Sequence, residues 1–409
     1  MHTDVVVIGG GPGGATAAAL IAAGGRSVKL FERSKEPAFK VGESLMPGTY
    51  WTFERLGVLD KLAKSAFPRK YSVQFFGASG RGSAPFYFNQ ANPHESAVTW
   101  QVLRSEFDQM LQDNATEKGA EVIRGASVVE VLFEGDRAIG VKVRMPDGSV
   151  ETVSCKVVVD ASGQSAVIAR HLKIANNEPK LKKASVFTHF ANGQRDEGID
   201  EGATLILQTS DKNAWFWYIP LPDNRVSVGV VGDIDCLFEN RSLDTQGIFD
   251  RELEKCETLQ DRLKNAEQVL PMQTTKDFSY RASQVAGDGW GLVGDAYGFL
   301  DPVYSSGIFL ALKSGEMAAD AVLDGFGADD LSGERLGRFL EEFVGGMESI
   351  RKLIYAFYDK DFSFGKFLMQ NPECQQGIVD ILSGDVYTKD VTPIFEPMGE
   401  MCELPTKNF

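Results

Sequence analysis

The chain has 409 residues, 43% apolar and 24% charged, enough for two or three domains, or one large discontinuous one, around a sizeable core. Its 42 basic and 57 acidic side chains leave a formal charge of −15, which argues against nucleic-acid binding and against an anionic membrane surface, because both call for a basic face. Five scattered cysteines without a C-x-x-C pair argue against a disulfide framework or a structural zinc site and fit a reducing cytoplasm.

The first strand starts almost at the first residue, so no signal peptide is expected. No apolar run approaches the roughly 20 residues that span a bilayer. The opening DVVVIGGGPGGATAAALIAAGGRSVKLFER predicts a strand over 5–8, a glycine-rich turn, an alanine-rich helix to about 23 and a second strand over 27–31. A G-x-G-x-x-G between strand and helix, with an acidic residue 18 positions after its last glycine, fits a dinucleotide cradle. Gly9 serves the tight turn, Gly11 the approach of backbone to a pyrophosphate and Gly14 the helix–strand contact, with Glu32 free to accept from a ribose. Pro12, Gly13, Ala15 and Arg33 complete that cradle. FAD and NAD share such a unit, and no second fingerprint follows.

Further along, QVLRSEFDQML presents Arg104 and Asp108, VVVDASG presents Asp160 and Gly163, and GLVGDAYGFLDPVYSSG runs from Gly291 to Gly307. Residues 69–95 and 181–269 alternate polar and apolar side chains in SVFTHFANG, GATLILQTS, AWFWYIPLP and RVSVGVVGD, the pattern of a half-buried antiparallel sheet. Residues 237–266 read as helical, as does the chain after about 330, where a cluster of aromatics reads as core first and pocket lid second. Asp277 reads as the start of a strand. Four histidines far apart in sequence show no metal-ligand spacing, and no metal is expected.

Taken together, the glycine-rich turn, R-x-x-F-D-x-x-L, D-A-S-G and G-D-A resemble the FAD domain of group A flavin monooxygenases. Within that fold WFWYIP matches W-x-W-x-I-P, with Trp215, Trp217, Ile219 and Pro220 in the fixed places, and the chain resembles the flavin-dependent halogenases. On a strand Trp215 and Trp217 share one face. The resemblance implies an α/β chain with a Rossmann-like FAD-binding domain (1–68, 96–180, 270–330), an antiparallel-sheet substrate domain (69–95, 181–269) and a short helical cap (331–409). It implies FAD, used as FADH2, with Glu43, Ser44, Arg104, Val128, Asp160, Gly163, Asp295, Pro302, Ser305, Gly307 and Ile308 around it. The resemblance also implies chloride or bromide at the backbone N–H groups of Ser306 and Gly307, where a helix is predicted to begin.

The resemblance further implies that hypohalous acid forms at the flavin and passes the tryptophan wall to Lys70, the catalytic residue. From there it halogenates an electron-rich aromatic. Tyr304 stands where tryptophan-directed members carry a glutamate, which favours a phenol or pyrrole, free or carrier-bound, over tryptophan. With no second dinucleotide fingerprint, the flavin is expected to be reduced by transient NAD(P)H docking or by a separate NAD(P)H-dependent flavin reductase, and the resemblance implies the reductase. Other readings remain open: Lys70 beside Arg69 as a solvated basic loop, Arg104 as a surface ion pair, and the tryptophans as plain packing. At the level of activity the rivals are an aromatic hydroxylase, an isoprenoid-type flavin reductase and a non-catalytic flavoprotein that binds a partner.

Overall fold

The computed structural model describes residues 1–405 apart from 37–38, 91, 179 and 277, so the strand start expected at Asp277 lies outside the described residues. Val5–Ile8 reads VVVI and is buried throughout, the composition of a parallel strand covered on both faces. It pairs in parallel with Val28–Glu32 on one side and Val157–Asp160 on the other. Glu121–Arg124 and Trp290–Leu292 extend the sheet, and Ala286–Gly287 closes one edge as an antiparallel strand.

The turn after the first strand passes through Gly9 at φ +98°, a backbone conformation that glycine adopts without steric cost. A Cβ on Gly14 would stand 2.0 Å from the Gly9 carbonyl oxygen. The Pro12–Ala23 helix therefore sits directly on the turn. Crossing it is the long Ser306–Ala328 helix, whose Gly315 lies so close that a Cβ there would come within 2.5 Å of the Gly13 carbonyl oxygen. A three-stranded meander, Ser127–Glu134, Arg137–Arg144 and Val150–Ser154, flanks the parallel sheet.

Among the described residues the second large sheet has eight strands. At its centre Lys183–Ala191, Arg225–Asp233, Ala214–Leu221 and Thr204–Gln208 run antiparallel. Ser72–Phe76 joins Thr204–Gln208 in parallel and carries Phe86–Tyr87 as an edge. Alternation in the sequence suggests a half-buried sheet, but every residue of Ala214–Leu221 is buried. The reason is a second core. Phe216, Tyr218, Val228 and Val230 pack under the helices Thr245–Leu253 and Glu257–Leu263, while Trp215, Trp217 and Ile219 join the core shared with the FAD-type unit. The segment expected to be helical thus covers the sheet's far face.

Pro220 is tolerated in this strand because Thr204–Gln208 pairs only as far as Tyr218; past that point the strand has one neighbour and the missing N–H breaks no inner ladder. Gly229, opposite Trp217, leaves the volume the indole fills: a Cβ there would lie 2.2 Å from the Trp217 ring. The chain ends in helices that include Leu340–Tyr358 and Gln375–Ser383. Gly229→Ala is expected to lower stability by about 1–3 kcal/mol through overpacking, read as a lower urea midpoint; an unchanged midpoint would mean that Trp217 is free to move aside.

Candidate active site

The dinucleotide cradle follows from the first helix. Gly11 is its N-cap, Pro12 occupies the first turn, no side chain caps the terminus and no acidic residue stands in that turn. A helix end of this kind offers free N–H groups and a positive dipole end to an anion. Nothing lies within 4 Å of where a Gly11 Cβ would be. Glu32 is buried at the end of its strand; its two oxygens accept from the N–H groups of Gly10 and Ser34, at 2.8 and 2.9 Å. The carboxylate is held in place and keeps lone pairs to spare. Arg33 reaches Ser165 at 3.4 Å, and Val128 borders a register shift in its strand, where backbone groups leave the ladder.

Asp160 is fully buried, and its oxygens accept from Ser162 and Ile168 N–H. Burial raises its pKa against those bonds. It shapes the turn that presents Gly163, at φ +64° with open space around it. Arg104 is buried as well. It forks onto Asp108 at 2.9 and 3.0 Å and donates to the Val41 carbonyl at 2.7 Å. The arginine therefore does have an ion pair, but an interior one. Asp295 is pushed up to about 6 by burial, with Arg104 pulling the other way.

Lys70 lies in a two-residue strand, Arg69–Lys70, paired with Thr99–Trp100. It is 3% exposed, which corrects the reading of a solvated basic loop. Its Nζ donates to Ser44 Oγ at 2.8 Å and to the Leu45 carbonyl at 2.9 Å, with the Phe88 ring 5.4 Å away. Burial pulls the amine down to about 7. Ser44 Oγ also meets Thr204 Oγ1 at 2.8 Å, and Gln101 Nε2 donates to that same Thr204 oxygen. Glu43 faces His189 Nε2 at 2.7 Å, both side chains 1% exposed. The side chains of Glu43 and Ser44, expected beside the cofactor, are thus turned towards protein partners.

Trp215 and Trp217 lie on one face with ring centroids 6.3 Å apart, 3% and 4% exposed. Trp217 donates to Ser227 Oγ and Trp215 to the Tyr358 hydroxyl. The Ser306–Ala328 helix opens as expected: Ser305 holds φ +58°, no side chain caps the end and no acid stands in the first turn. Ser306 is buried, and Gly307 and Pro302 are half-buried, as is Ser305. Ile308 Cγ1 lies 3.7 Å from where a Gly42 Cβ would stand, beside Arg104. Tyr304 is buried and donates to the Leu353 carbonyl at 3.2 Å.

An FAD binding domain family matches residues 2–317. A 1H-pyrrole-2-carbonyl-[peptidyl-carrier protein] chlorinase of Pseudomonas fluorescens is 30% identical over 97% of this chain and 92% of its own. The corresponding brominase of Pseudoalteromonas luteoviolacea is 31% identical over 93% and 91%. The chain belongs to the flavin-dependent halogenases. In structure this halogenase superposes on the flavin-dependent brominase Bmp2 with a TM-score of 0.86 at 29% identity, covering 98% of one chain and 99% of the other. FAD is its cofactor and a halide its inorganic substrate. The open N-terminus at Gly11, the fixed Glu32 carboxylate and the space at Gly163 fit the nucleotide half of FAD.

His189 and Tyr358 were not foreseen as site residues. The alternation of Phe187 and His189 on one strand face marked the histidine as inward-facing; nothing local marked Tyr358. Among the described residues no helix is long and apolar enough to cross a membrane, and no group of three or more His, Cys, Asp or Glu is placed to hold a metal.

The depressed Lys70 pKa has a pH signature. The unfolded chain keeps this proton up to about 10.5, whereas the folded one gives it up near 7. Between those limits the unfolded state binds more protons, so stability rises with pH; below about 7 the full burial cost applies. Urea midpoints should therefore show wild type gaining on Lys70→Met as pH rises from about 7 to about 10. Parallel profiles would mean an ordinary lysine.

Proposed function

We propose that this halogenase places chlorine or bromine on an electron-rich ring, pyrrole before phenol, presented as a thioester on a carrier protein. Its two relatives named for pyrrole-2-carbonyl carrier substrates support that reading over nearly the full chain. The single observation that carries the chemistry is Lys70: a sealed amine, drawn down to about 7, on Ser44 and the Leu45 carbonyl. Half neutral near pH 7, it can take either of two roles. As the ammonium it donates to hypohalous acid and polarises the O–halogen bond. As the free amine it attacks the halogen, water leaves, and the N-halogen bond then passes halogen to the ring, which loses a proton.

When bound in its reduced form, the flavin would pass two electrons to O2 and so supply the two-electron oxidant that takes halide to hypohalous acid. Residues 1–68, 96–180 and 270–330 form its domain, 69–95 and 181–269 the substrate side and 331–409 the cap. The N–H groups of Ser306 and Gly307 hold the halide, as an uncapped helix end suits an anion. Trp215 and Trp217 exclude the aromatic substrate from the flavin, so that oxygen transfer gives way to halogenation. Tyr304 offers no carboxylate to assist an indole. A separate NAD(P)H-dependent reductase in the cytoplasm regenerates FADH2.

Incubation with a flavin reductase, NADH, O2 and bromide, offering pyrrole-2-carbonyl carrier thioester, free pyrroles and phenols, should give a bromine isotope doublet by mass. Lys70→Ala should lower that product about 100-fold or more at unchanged FAD content. Addition of one oxygen without bromine would instead make the protein a hydroxylase.

A further inference from the structure

We propose that Tyr358 is a positioning residue that ties the Trp215 indole to the Asp301–Gly307 loop, so that tryptophan wall and halide loop hold one relative placement. The inference rests on the halogenase reading above and adds the Leu340–Tyr358 helix to its working parts. Trp215 Nε1–H donates to the Tyr358 hydroxyl at 3.0 Å, and that hydroxyl donates to Asp301 Oδ2 at 2.9 Å. Asp301 Oδ1 in turn accepts from the Val303 N–H at 3.0 Å.

The order of donors is fixed by chemistry. An indole N–H can only donate, so the Tyr358 oxygen accepts from Trp215, and with Asp301 ionised the tyrosine's own proton goes to the carboxylate. Asp301 is wholly buried, an expensive placement for a carboxylate unless its oxygens are engaged. Both of them are. Phe357, the preceding residue, makes a parallel link: its ring meets Trp215 edge-on at 6.0 Å and Tyr304 at 6.0 Å. Lys183 sits 3.9 Å over the Tyr358 ring and pairs with Asp233, a further contact that holds the phenol. Apolar packing alone would be served by phenylalanine; the hydroxyl is needed only for the chain from Trp215 to Asp301.

Without that hydroxyl the indole N–H loses its acceptor and the ring can turn. Hypohalous acid then has an exit other than Lys70. Tyr358→Phe in the FAD-loaded protein tests this. With 15N-tryptophan labelling, the Trp215 indole N–H peak, assigned through Trp215→Phe, should move upfield in Tyr358→Phe and exchange with solvent faster. The fraction of reduced flavin that ends in brominated product should fall about 3- to 10-fold, the equivalent of one hydrogen bond. Bromination of an added β-diketone trap should rise, and FAD content and the KM for the aromatic should hold. The double variant Trp215→Phe/Tyr358→Phe should be no worse than Trp215→Phe. An unmoved indole peak, unchanged coupling, or losses that multiply in the double variant would each overturn the proposal. If wild type itself transfers oxygen and no bromine, the functional reading falls and the coupling role of Tyr358 falls with it.

Discussion

The amine of Lys70 is enclosed with two hydrogen-bond acceptors, and among the described residues it has no carboxylate partner. An uncompensated buried ammonium is costly, so the side chain responds by releasing its proton near neutrality. Much of the surrounding structure meets the geometric demands of this arrangement. The Glu43–Leu45 loop must lie close enough for Ser44 and the Leu45 carbonyl to reach Nζ. It is held there by backbone bonds from Leu45 N–H to Trp100 and from Val102 N–H to Glu43. Thr204 and Gln101 then fix Ser44 Oγ from the sheet side. A nearby acid would raise the lysine's pKa and leave it a permanent cation, suited to holding an anion but not to attacking a halogen.

Enclosure on that scale needs a sheet with both faces covered. The helices at 245–263 supply the outer cover, and the inner face is then free to carry large side chains against the FAD-type unit. Two indoles on adjacent inward positions demand room, which Gly229 provides by having no side chain. Their polar N–H groups demand acceptors, and Ser227 and Tyr358 meet that demand. The wall is therefore more than apolar bulk: each ring is fixed by one directional bond, and its orientation is as determined as its position.

Local patterns made much of this legible in the sequence. Four apolar residues before a glycine-rich turn declare a buried parallel strand and the cradle after it. W-x-W on a period-2 strand places both indoles on one face whatever the remainder of the chain does. What escaped were properties fixed by distant segments. The burial of Lys70 depends on strand pairing with a residue 29 positions on and a loop 26 positions back, so the sequence left a solvated basic loop beside Arg69 open as the alternative to a catalytic lysine. Half-burial of the sheet was inferred from alternation, which reports the polarity of each face but not whether helices from elsewhere will cover it. His189 and Tyr358 acquire partners 146 and 57 residues away in sequence; strand alternation turns the histidine inward without naming its partner, and nothing local marks the tyrosine.

A chain with a net charge of −15 that must gather a pyrophosphate and a halide has to do so against its own long-range field. Arg104 gives little help, because Asp108 already neutralises it in a two-pronged pair. In the proposed reading, the two uncapped helix ends, at Gly11 and at Ser305, meet the need differently. Their partial charges act over the length of a helical turn and fade beyond it. Such sites favour an anion only when it is in place, and they exert no general pull on phosphates or carboxylates in solution. The same short range means that each end must be positioned by packing rather than by attraction, and the Gly13–Gly315 crossing does this for both helices together. In the proposed reading, selectivity comes from the placement of two helix ends, since the acidic surface repels every anion alike.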